Sequence, residues 1–202
     1  MLDLKKVAIT GGLASGKSSV CHFLQEMGAY VVNSDEIVHH LLSPNTAIGQ
    51  RVIQLLGPDI VKGQSIDRQK VAEKVFADSK LLKALEGILH PAVAQELEHH
   101  YQKARGQKHA RMFVAEVPLL FEAGEMRSLF HTTVAVVSED GKRHQRYNNS
   151  TGRTDFKLRD ARQWNQEDKA RMANIVITND GTLEDLKSKV RIIFENLTYP
   201  SN

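Results

Sequence analysis

The sequence predicts an α/β protein: five short strands in a mostly parallel sheet, wound with helices. Three observations predict it. Five apolar runs of strand length, Lys6–Thr10, Ala29–Val32, Arg111–Val117, Thr132–Val137 and Asn174–Thr178, are separated by stretches with helical apolar spacing. The connections are long enough for the crossovers that parallel neighbours need. The first run ends in Gly11-Gly12-Leu13-Ala14-Ser15-Gly16-Lys17-Ser18, which fits G-x-x-x-x-G-K-[ST].

That octet is a phosphate-binding loop by its chemistry. Glycines let the backbone wrap a polyphosphate and aim successive N–H groups at its oxygens. The helix that begins at Lys17 turns its positive end toward the anion. Lys17 is placed to reach the β- and γ-phosphates, and the Ser18 hydroxyl to hold Mg²⁺. Context sharpens the match. An apolar strand precedes the loop, and Val20, Phe23, Leu24 and Met27 follow at i, i+3, i+4, i+7 before Gly28, a helix terminator. The expected architecture is therefore that of a P-loop NTPase of the nucleotide-kinase type.

Composition sets the limits. The chain has 202 residues, 41% hydrophobic and 25% charged, as expected for one large soluble domain. No apolar run approaches membrane-spanning length, and no signal-peptide pattern precedes the first strand. The single cysteine, Cys21, leaves no internal disulfide, which fits a cytoplasmic protein. Cys21 reads as a packing residue. A net charge of +3 gives no argument for nucleic acid, and no membrane or obligate protein partner is implied. The charge is unevenly placed. Residues 139–171 carry nine Lys/Arg against six acids, so the whole positive excess lies in that one segment. Such a segment suits closure over a polyanion.

Taken in order, Ala29–Val32 runs into Asn33-Ser34-Asp35. Ligands of open parallel sheets sit past the carboxyl ends of the strands, so Asp35 is either a carboxylate for a hydroxyl proton or Mg²⁺, or an N-terminal acid of the next helix. Residues 47–105 read as largely helical, in stripes opened by Asp67-Arg68 and interrupted at His90-Pro91. So much helix exceeds a crossover and reads as an insertion beside the sheet, suited to binding a substrate. By spacing alone His90 is ambiguous: a capping or packing residue, the commoner role at a helix break, or a ligand contact. Glu116 ends the third strand, where P-loop proteins place a Mg²⁺-associated carboxylate; a buried or edge acid is the alternative. Phe121 is either core or an apolar wall for a ligand. After the fourth strand, the basic segment has few large apolar residues and reads as a lid bringing arginines to the transferring phosphoryl group, or as an exposed amphipathic helix. Trp164 packs either the lid hinge or the core. Thr182-Leu183-Glu184-Asp185 matches a capping box before the last helix. The expected division is a core of approximately 1–35, 108–138 and 172–202, an insertion of 36–107 and a lid of 139–171.

With these pieces in place, the chain resembles the dephospho-CoA kinase family nearly end to end. The resemblance is carried by Thr10 to Ser18; by Asn33-Ser34-Asp35 with His39; by Asp67-Arg68 with Val75-Phe76; and by Leu89-His90-Pro91. It continues through Val117-Pro118-Leu119-Leu120-Phe121-Glu122, Arg162-Gln163-Trp164 and Ile177-Thr178-Asn179-Asp180-Gly181. The resemblance implies transfer of the ATP γ-phosphoryl group to the ribose 3′-hydroxyl of dephospho-CoA, the last step of CoA synthesis, with Mg²⁺ as cofactor. It assigns Asp35 as general base and Arg146 as a lid arginine. Asn179 falls on the adenine side, and His39, Arg68, His90, Leu119, Phe121 and Glu122 on the CoA side. Asp35 and Glu116 join Ser18 as candidate Mg²⁺ groups. There are three departures from the family pattern. Asn33 and Glu116 stand where aspartates are usual, and Ser150 stands where an arginine is expected, with Arg143 the candidate to compensate. Two readings remain beside this one: another P-loop kinase with a different acceptor, and a nucleotide-dependent switch or sensor. A GTP switch would need a D-x-x-G, which the sequence lacks, and Asn165-Gln166-Glu167-Asp168 has Gln where a guanine-reading N-K-x-D has Lys.

Overall fold

A computed structural model describes residues 4–161 and 163–199. Arg162, part of the expected lid exit, lies outside the described residues.

The chain divides into two compact units, one of residues 1–33 with 100–202 and one of residues 34–99. The first holds the sheet. Its strands are β1 (Lys6–Gly11), β2 (Ala29–Asn33), β5 (Met112–Glu116), β6 (Thr132–Val137) and β7 (Ile175–Thr178), in the order β2-β5-β1-β6-β7. Every pairing in it is parallel, so the sheet is wholly rather than mostly parallel. β5 is buried along its whole length, as the unbroken apolar run Met112–Ala115 demands of a central parallel strand.

Helices α1 (Lys17–Glu26) and α9 (Leu183–Thr198) contribute to the main core of this unit. Val20, Phe23 and Leu24 of α1 and Leu186, Val190 and Phe194 of α9 cluster with Val7, Ile9, Val114 and Val134 of the sheet. α9 opens with the expected capping box: Thr182 Oγ1 accepts from the Asp185 amide and Asp185 accepts from the Thr182 amide. Between β6 and β7 lie α6 (Asp140–Thr151), α7 (Phe156–Asp160) and α8 (Gln166–Met172).

The second unit contains α2 (Ser34–Leu41), α3 (Ala47–Leu56), a hairpin of β3 (Val61–Lys62) and β4 (Ser65–Ile66), α4 (Arg68–Ala77) and most of α5 (Ser79–Arg105). Leu42, Val52, Leu56, Ile60, Ile66, Val71, Val75 and Leu85 form its own core. Asp67 caps α4, accepting from the amides of Gln69 and Lys70. The segment is largely helical, as its apolar stripes imply, with a short hairpin turned by Gly63, at φ +61°, between α3 and α4. One sequence expectation changes here. Pro91 does not break the helix: α5 runs through it. Proline removes one ladder bond, and the buried Ala92, Val93 and Leu97 that follow keep the helical spacing.

Candidate active site

The phosphate loop is a backbone cradle closed by neighbours distant in sequence. Gly11 ends β1 with φ +144°, and a Cβ there would lie 2.2 Å from the Val136 carbonyl oxygen. Gly16 has φ +103°, and its Cβ would lie 2.1 Å from Asn179 Nδ2. Both positions thus exclude a side chain by conformation and by space. Ala14 is the one non-glycine residue at positive φ among the described residues, which marks the loop as the place where backbone strain is held. Asn179 donates from Nδ2 to Ser15 O at 2.8 Å, tying the turn after β7 to the loop. The Ser15 hydroxyl is buried and meets no partner among the described residues. Gly16, at the N-cap of α1, provides no side-chain cap, so the first amides of the helix are left to an anion.

Lys17 is buried and turns back over its loop, donating to Gly11 O at 3.2 Å and Gly12 O at 2.9 Å. Ser18 Oγ donates to Glu116 Oε1 at 3.3 Å, and Asn33 Nδ2 reaches Glu116 Oε2 at 3.5 Å. Asn33 and Glu116 are direct register partners on β2 and β5. Glu116 is 7% exposed. One carboxylate and one hydroxyl are hard oxygen donors, the set that Mg²⁺ takes from protein when substrate phosphates supply the rest, so these residues fit that ion. Cys21 lies beside them. Burial and the Glu116 carboxylate push its thiol well above its ordinary range, which suits packing and not nucleophilic attack.

The basic segment is held to the loop by buried charge. Arg143, 3% exposed, makes a two-pronged pair with Asp160 at 2.7 and 2.8 Å, bonds Asp140 at 2.8 Å, and donates to Leu13 O at 3.1 Å. Its guanidinium thereby bonds two carboxylates and the loop backbone. Arg146 donates to Ser138 Oγ at 3.0 Å and to Asn179 O at 2.8 Å, one residue removed from the contact between Asn179 and the loop. Burial opposes the charge of Asp180. The Glu139 amide and Ser138 hydroxyl, with Lys142 and Arg146 nearby, nevertheless hold its carboxyl below the usual range. Gln166 spans Ser138 through both its amide atoms, and it lies close to Gly12.

The other expected positions fall as follows. Phe121 is buried, which favours core over ligand wall, whereas Leu119 is 46% exposed. Glu122 is taken by Lys169, at 2.9 Å, and by the Trp164 amide. Trp164 is 44% exposed and so does not belong to the core. Asp35, His39, Arg68 and His90 all belong to the second unit. Asp35 is in the first turn of α2 and exposed, and His39 lies exposed on the same helix. Arg68 opens α4 and is exposed; His90 is half-buried in α5. Sequence reasoning missed Lys169, Gln166 and Asp160, which read as members of a solvated charged run.

Comparison with known proteins decides among the P-loop families. The family model described as dephospho-CoA kinase matches residues 5–185. The chain belongs to the dephospho-CoA kinase family. It is 46% identical over 200 residues to a dephospho-CoA kinase of Protochlamydia amoebophila, with 98% of each chain covered. It is 44% identical to one of Chlamydia pneumoniae, with 96% of each covered. Among solved structures, a Thermus thermophilus protein matches with TM-score 0.83 and 30% identity, over 98% of this chain and all of that one (100%). A dephospho-CoA kinase from Campylobacter jejuni matches with TM-score 0.69 at 22% identity, over 96% of each chain, and supports the fold. The chain is therefore an ATP-dependent kinase, and the family's reaction completes CoA synthesis. No helix among the described residues is long and apolar enough to cross a membrane.

Proposed function

We propose that this chain transfers the γ-phosphoryl group of ATP to the ribose 3′-hydroxyl of dephospho-CoA, with Asp35 as the base and the loop Gly11–Ser18 as the phosphate cradle. The observation that carries the reading is the loop itself, closed by Asn179 and flanked by the bond from Ser18 to the buried Glu116, in a chain whose family match spans 5–185.

A loose phosphoryl transition state asks for alignment and charge neutralisation, with little covalent help. Loop amides of residues 12–17 and Lys17 hold the polyphosphate. Ser18 and Glu116 hold Mg²⁺, with Asp35 the further candidate. Held there, Mg²⁺ would supply charge neutralisation to the polyphosphate. Asp35 accepts the 3′-hydroxyl proton as the oxygen attacks phosphorus and ADP leaves. Its place two residues past the end of β2, at the carboxyl side of the sheet, supports that role. Arg146 faces the transferring phosphoryl group, supported by its link through Asn179 to Ser15. Asn179 borders the adenine. His39, Arg68, His90 and Leu119 receive the CoA moiety. Phe121 and Glu122 belong to the same CoA-side stretch. The lid is assigned to 139–171 and the CoA-side insertion to 36–107. A single buried cysteine fits a reducing cytoplasm as the site of the reaction.

Asp35→Asn tests the base. Removing a general base costs on the order of 100- to 10,000-fold in kcat. The Michaelis constant for ATP stays within about threefold, because the change leaves the phosphate cradle intact. Unchanged kcat in that variant removes Asp35 from the mechanism.

A further inference from the structure

Lys169 on α8 is 0% exposed, although its neighbours Asp168 and Arg171 form a surface ion pair. Its Nζ donates to Pro118 O at 2.6 Å and pairs with Glu122 Oε1 at 2.9 Å. The same Oε1 accepts from the Trp164 amide at 2.9 Å. Pro118 O also accepts from Thr10 Oγ1 at 3.2 Å, in the strand that runs straight into the phosphate loop. One ammonium thus joins three pieces of chain: the end of β1, the segment after β5, and the entry to α8.

Burial of an ammonium is costly even when it is paired, and apolar side chains of similar size are often as stabilising. A buried pair of this kind therefore points to geometry rather than to stability alone. What it fixes is the segment Pro118–Glu122, on which Leu119 faces outward. Glu122 itself has little to offer a substrate. One carboxylate oxygen is engaged twice, and the other is buried and meets no donor among the described residues.

We propose that Lys169 and Glu122 are positioning residues for the acceptor: their pair sets the Pro118–Glu122 edge at a fixed distance from the phosphate loop, so that a dephospho-nucleotide held on Leu119 meets the γ-phosphoryl group in line. The inference rests on the kinase reading above, and it moves Glu122 from contacting substrate to acting through its neighbours.

The test is steady-state kinetics with each substrate varied in turn, on wild type, Lys169→Met, Lys169→Arg, Glu122→Gln and the Met/Gln double variant. Nucleotide affinity and thermal melts are measured alongside. Lys169→Met is expected to raise the Michaelis constant for dephospho-CoA by about tenfold or more and lower kcat, with that for ATP within about twofold. Glu122→Gln is expected to act in the same direction, the double variant to be little worse than the worse single one, and Lys169→Arg to keep most of the acceptor affinity. Should Lys169→Met fail to fold, the Arg and Gln variants carry the same comparison. Equal losses for both substrates, or no loss in a folded variant, would overturn the proposal and leave the kinase reading standing. No turnover of dephospho-CoA by wild type would overturn both.

Discussion

Gly16→Ala is the most direct probe of how the loop is built. Two costs follow from the structure. The first is conformational: φ is +103°, a region side chains avoid, at about 1–3 kcal/mol. The second is steric. The new Cβ would lie 2.1 Å from Asn179 Nδ2, so the amide must withdraw and its bond to Ser15 O is lost. A lost hydrogen bond of that kind costs about 1 kcal/mol. Together they amount to about 2–4 kcal/mol, or a fall of roughly 4–16 °C in Tm for a protein of this size. Nucleotide affinity should fall by about tenfold or more, since the cradle must open to admit the methyl group. Thermal melts and a titration with ATP read both. Gly63→Ala is the control: its φ is +61° but nothing lies within 4 Å, so it should cost only the backbone penalty, about 1–2 kcal/mol, and leave ATP binding unchanged. A Gly16→Ala protein with unchanged Tm and ATP affinity would refute the reasoning.

Further expectations follow from other positions. Gly87→Ala should stabilise by about 0.5–1 kcal/mol, because the glycine sits inside α5 with nothing within 4 Å of the new methyl; urea unfolding checks the sign. Acid should destabilise. The Tyr147 hydroxyl holds the Asp155 carboxyl low and the Thr182 amide does so for Asp185; at Asp180 burial is outweighed by the Glu139 amide and Ser138 hydroxyl. All three lie below the ordinary 3.8. Below that value the unfolded chain binds more protons than the folded one, so their contribution is complete above it and is lost as pH falls through the folded values. Chemical unfolding at a series of pH values should show stability dropping from about pH 4 downward; a rise there would contradict the assignment.

Much of this was legible because it is local. The octet Gly11–Ser18, the apolar runs and the Thr182 capping box are set by neighbours within a few residues, and short-range patterns display them. Phe121 and Leu119 show the limit: two apolar side chains in one motif, of which tertiary packing buries one and exposes the other. Strand order was not readable, since β1 pairs with β5 about a hundred residues away and nothing in either strand names its partner. Lys169 is the sharpest miss. Gln166-Glu167-Asp168-Lys169 looks like a solvated run, and Lys169 is buried only because Pro118 and Glu122, far away in sequence, supply its partners. Pro91 erred the other way: a strong local signal for a break was overruled by the packing of the residues after it. The commitment of Arg143 to Asp160 is likewise a tertiary fact, invisible as one more arginine in a basic segment.

The reaction itself is tested most directly by ADP release from Mg-ATP with dephospho-CoA, adenosine, AMP and shikimate each offered as acceptor, and the product weighed by mass spectrometry. Turnover with dephospho-CoA alone, giving a product heavier by one phosphate, is the predicted result. Turnover with another acceptor in its place, or ATP binding with no turnover at all, would contradict it.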